Sequence, residues 1–131
     1  MSLKLTTVVS VLAVGMAFAA GAPVALAGDG AKEAQTAAQH AGMAASAPDI
    51  KMVHMHLHHA VNCLVGPKGE GFDAKEANPC GQMGDGALTD TSDAAMKKKL
   101  GDAAMKAETG LKSEDLAAAQ KAAGETAAAL K

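Results

Sequence analysis

The sequence predicts an all-α fold: a small, alanine-rich bundle of three to four helices with one long disulfide-tethered loop, following a cleaved signal peptide. Three observations carry this. Apolar residues recur at helical spacing in three separate stretches. Alanine, a strong helix former, dominates the apolar fraction. The two cysteines, Cys63 and Cys80, bracket a stretch punctuated by Gly and Pro.

Residues 1–27 read as a secretory signal peptide. Lys4 supplies a positive start, Leu5 to Ala20 is apolar and uncharged, and Ala25-Leu26-Ala27 offers the small residues that a signal peptidase accepts. Gly15, Gly21 and Pro23 interrupt the apolar run and no basic stop-transfer cluster follows, which argues against a retained membrane anchor. The expected location is therefore periplasmic or extracellular, with no stable membrane insertion after cleavage.

The expected organisation is a signal peptide over 1–27, a weakly helical N-terminal segment over 28–48, and a helical domain over 49–131. Residues 31–45 favour helix by composition but lack Leu, Ile and Val, so packing gives them little support. Asp49 reads as an N-cap. In residues 50–64, Ile50, Val53, Leu57, Val61 and Leu64 share one helical face, and Gly66-Pro67 supplies a stop. A strand reading of this stretch gives a shorter apolar register, so helix is preferred.

Residues 66–91 form the expected loop. A loop of that length needs a tether or a function, and in an exported chain a Cys63–Cys80 disulfide provides the tether, contributing roughly 3 kcal/mol in the chain-entropy model. Phe72 is a candidate plug onto the helices. The next helix is expected over 92–108, capped by Ser92, with Met96, Leu100, Ala103 and Ala107 inward and Thr109-Gly110 ending it. The last starts at Ser113-Glu114-Asp115, with Leu116, Ala119, Ala123, Ala127 and Leu130 facing inward.

Composition excludes several functions. The formal net charge is −2, and one unit more negative once Lys4 is removed. No Arg is present, and Phe72 is the sole aromatic beyond the signal segment. A nucleic-acid surface of cations and stacking rings is therefore not expected. No C-x-x-C-H, G-x-S-x-G or complete calcium-loop pattern occurs, so the chain is not read as an enzyme or a haem protein.

Four of the five histidines, His54, His56, His58 and His59, fall within six residues and interleave with Met52 and Met55. Imidazole suits copper, zinc and nickel, and thioether sulfur suits Cu(I). On a helix Met52, His56, His59 and Cys63 make one stripe, a His/Met set that Cys63 would join as a ligand only if reduced, while His54 and His58 sit at i, i+4 on the flank of the apolar face. His40 and Met43 lie upstream. The six residues His54, His56, His58, His59, Met52 and Met55 are the expected ligands of a transition-metal ion, copper favoured over zinc or nickel. The expected function is metal buffering or delivery, with another periplasmic protein as a conceivable partner. The alternative is a structural or protein-interaction module without bound metal, in which these histidines are solvated or bonded to backbone.

Overall fold

The computed structural model describes residues 28–131; the expected signal peptide lies outside the described residues. Those residues are helical, without strands: α1 (Gly30–Ala45), α2 (Ile50–Val65), α3 (Ala87–Asp90), α4 (Ala94–Leu111) and α5 (Leu116–Ala129). Helices α1 and α2 form one hairpin and α4 and α5 a second. Across the bundle α1 packs on α5 and α2 on α4.

Each long helix starts the same way. Asp29, Asp49, Asp93 and Asp115 accept the backbone N–H three residues on, at 3.0, 2.9, 2.6 and 2.7 Å. This satisfies one otherwise orphaned donor per helix and places a negative charge at the positive end of the dipole. The expected cap Ser92 is displaced by its neighbour Asp93, whose carboxylate serves both purposes at once. The N-terminal stretch forms the complete helix α1 because Ala37, Ala41 and Ala44 are wholly buried against the other helices.

The apolar register of α2 supplies the centre of the core. Val53, Leu57, Val61 and Leu64 are fully buried, joined by Leu100, Ala103 and Ala107 of α4 and by Ala119 and Ala123 of α5. Two details of α4 differ from the sequence reading. Met96, expected inside, is 43% exposed. Helix α4 does not stop at Gly110 but carries it in its last turn, buried, where an added methyl would lie 2.6 Å from Leu57 Cδ1 and 3.2 Å from Ala122 Cβ. The missing side chain lets Leu57 fill that space, and burial outweighs the low helix propensity of glycine.

The loop after α2 begins at Gly66, whose φ of 69° suits only glycine without strain. Cys63 and Cys80 are disulfide-bonded, with Cα atoms 5.1 Å apart and both side chains buried. Beside the bridge, the buried Asn62 side chain donates to the carbonyls of Asp73 and Ala77 at 3.0 and 3.1 Å and accepts the Asp73 N–H at 2.9 Å. Phe72 packs, partly buried, against the core. The expected loop 66–91 is shortened by α3, a single turn whose Ala87 is buried under α1 and α2.

Candidate metal centre

Histidine at positions 56 and 59 of α2 faces α1, and the residue it meets there is His40. One ring nitrogen from each of His40, His56 and His59 lies within 4.8 Å of the other two. The Nδ1 atoms of His40 and His56 are 3.4 Å apart. Two nitrogens bound to one tetrahedral ion at about 2.0–2.1 Å would be separated by about 3.4 Å. The His40 and His59 rings meet edge to face at 5.0 Å between centroids, and His56 stands 5.7 and 5.9 Å from them.

All three rings are half-buried. For His40, burial first, and then the neighbouring His59 and His56 rings, push the pKa down to about 4. His59 is lowered by burial and by His56, against the opposing pull of Glu76. Both are therefore neutral at neutral pH, the form in which imidazole binds a metal. His59 Nε2 lies 3.9 Å from Glu76 Oε2 on the tethered loop. Its Nδ1 is buried and has no hydrogen-bond partner. An unsatisfied buried nitrogen is costly, and a bond to a metal is one way of satisfying it. A carboxylate against the second nitrogen is the usual support for a ligating histidine.

The other expected ligands are placed elsewhere. His54 Nε2 stands 2.9 Å from the Ser113 carbonyl, to which its N–H donates, fastening α2 to the turn between α4 and α5. His58 Nδ1 is 3.8 Å from Asp73 Oδ2 on the loop. His54, His58, Met52 and Met55 line a cavity together with Glu76 and Glu114. Met52 is 39% exposed, one helical turn before His56. Cys63, on the same stripe as His56 and His59, is held in the disulfide and covered by the loop, and no described cysteine is free. The His/Cys combination is thereby removed.

His40 is not one of the ligands expected from the sequence. A signal for it existed: His40 lies six residues before Ser46, as Met55 lies six after Asp49. A tight helical hairpin across Ser46–Asp49 sets those positions side by side, next to His56. Among the described residues no helix is long and apolar enough to cross a membrane. Three histidines thus lie close enough to hold a metal ion, in a chain whose described residues are helical without strands and for which no known protein family, curated protein or solved structure gives a match.

Proposed function

We propose that this is an exported, non-enzymatic transition-metal-binding protein that buffers or delivers its ion, held by His40, His56 and His59, with copper favoured. One observation carries the reading: three imidazoles from two helices converge to within 4.8 Å, two of them kept neutral by their surroundings. An all-nitrogen donor set suits copper, zinc or nickel. The thioethers of Met52 and Met55 on the same helix tilt the choice toward copper, which uses them in its reduced state. With both cysteines in the disulfide, no thiolate competes for a zinc-type site.

The test is native mass spectrometry of the protein titrated with Cu(I), Cu(II), Zn(II) and Ni(II). A variant with His40, His56 and His59 replaced by Ala is expected to lose its ion, while His54→Gln with His58→Gln retains it. Equal binding by wild type and the triple variant would end the reading. Equal loss in both variants would move the site toward the His54/His58 cavity. Ligand imidazoles must be unprotonated, so affinity is expected to fall below about pH 6.

A second reading, an interaction module without metal, is favoured by a separate groove between α1 and α4 lined by Ala34, Ala38, Met96, Leu100 and Leu130. Capture of a partner that persists in the presence of chelator would support it. Loss of that partner on metal removal would return the argument to the histidines.

A further inference from the structure

At the far end of α1 from the hairpin turn, the backbone at Gly28 is pressed against the Asp90 side chain. A methyl group built on Gly28 would run into the Asp90 carboxylate, and one built on Gly84 would meet the same group. The Asp85 N–H donates to Asp90 Oδ2 at 2.7 Å. One turn into α1, Glu33 is wholly buried. Its Oε1 accepts the Gly86 N–H at 3.1 Å, and its Oε2 is buried with no hydrogen-bond partner.

The charges here are unbalanced. Lys32 pairs with Asp29 at 3.8 Å and Lys68 with Asp85 at 4.0 Å, both well exposed. Among the described residues no lysine or histidine pairs with Glu33 or Asp90. Burial, and then the Asp90 and Asp29 carboxylates, push Glu33 up to about 7 against the Gly86 N–H. Buried carboxyls normally have a counter-charge. The group standing beside Asp90 is the main chain of Gly28, the residue that follows Ala25-Leu26-Ala27 in the sequence.

We propose that cleavage after Ala27 supplies the missing cation: the freed α-ammonium of Gly28 pairs with the Asp90 carboxylate beside Glu33 and locks the start of α1 onto α3. Water adds across the Ala27–Gly28 peptide bond. Ala27 leaves as a carboxylate, and the Gly28 nitrogen, an uncharged amide in the precursor, takes up protons to become an ammonium. The inference rests on the export reading and is independent of the metal. Maturation then does more than remove a targeting segment, because it completes a charge pair that the precursor lacks.

The precursor is expressed with its own signal and the exported protein is weighed intact. A mass starting at Gly28 is expected; an unprocessed chain or another start overturns the export premise and the proposal with it. On the correctly processed chain, the Gly28 α-amino group is titrated by NMR with labelled glycine. Its pKa is expected at least one unit above the ordinary value of about 8, returning toward it in Asp90→Asn. A chain retaining Ala27, which displaces the ammonium by one residue, is expected to melt about 4–8 °C lower, the shift that a modest ion pair gives a domain of this size. That drop should vanish in the Asp90→Asn background. An unshifted α-amino pKa in the wild-type mature protein refutes the lock even where cleavage falls at Gly28.

Discussion

His40→Gln in the metal-free protein isolates the electrostatics of the candidate site. Burial and the His59 and His56 rings hold the His40 pKa at about 4 in the folded chain, against 6.5 ordinarily. On acidification the unfolded chain takes up this proton first. Stability associated with neutral His40 is therefore full above about pH 6.5 and is lost as pH falls toward 4. The gap between 6.5 and about 4 sets a ceiling of roughly 3 kcal/mol. The ring is partly exposed, and solvent screening reduces this to about 1–2 kcal/mol. The assay is urea unfolding, followed by circular dichroism with chelator present, at about pH 7.5 and pH 4.5. Glu33 contributes a slope of opposite sign, because its raised pKa favours the folded state at low pH. It is common to both proteins and cancels in the difference. Wild type is expected to lose about 1–2 kcal/mol more than His40→Gln on going to the lower pH. An equal loss in the two proteins would refute the claim that His40 is held neutral by its burial and its neighbouring rings, and with it the argument that protons leave the site open to metal at neutral pH.

Three further outcomes are expected. Replacing Cys63 and Cys80 by Ser should cost about 3 kcal/mol in urea unfolding, and should also weaken metal binding, because the bridge tethers the loop that sets Glu76 against His59. Asn62→Ala removes two donations to loop carbonyls and leaves the Asp73 N–H without its acceptor; a loss of about 3 kcal/mol is expected, with faster hydrogen exchange over residues 73–77, and unchanged exchange there would refute the pinning role. Two glycines of α4 should respond oppositely to Ala: Gly110→Ala drives a methyl into Leu57 and should destabilise by about 1–3 kcal/mol, whereas Gly101→Ala, with nothing within 4 Å, should stabilise by about 0.5–1 kcal/mol, as read from thermal melts of the pair.

Where periodicity and local chemistry sufficed, the sequence was legible. The spacing from Ile50 to Leu64 marks the face that α2 buries, Asp49 marks its cap, and the two cysteines in an expected exported chain mark the bridge. What could not be read depends on contacts between segments. Met96 falls on an inward register but is left outside, because the groove between α1 and α4 stays open there. Gly110 reads as a stop until Leu57 is known to occupy its side-chain space. At the site, local density pointed to four adjacent histidines, but the helix sends them to different places. His56 and His59 face α1, His54 is taken by the Ser113 carbonyl, and His58 turns toward Asp73. His40, alone among alanines, has no local neighbour to mark it, and its partners appear only once the hairpin closes.

The weakness of α1 as a sequence is also what allows the site to form. Alanine buries little apolar area, so a helix whose core residues are Ala37, Ala41 and Ala44 contributes modestly to stability. Small side chains at a helix contact also permit the short end of the usual 8–10 Å range of interaxial distances. On α2 the buried Ala60 keeps the facing surface equally low. Histidine is a short side chain, and three imidazoles can share one ion only if the helices bearing them are close. A leucine-rich α1 would hold more firmly but would stand farther off, carrying His40 away from His56 and His59. The stability forgone at this interface has to be recovered elsewhere. The aspartate caps, the disulfide, the Asn62 pin and the proposed Gly28–Asp90 pair all lie outside the His40/His56/His59 cluster, where they can hold the two helices without occupying the ligands.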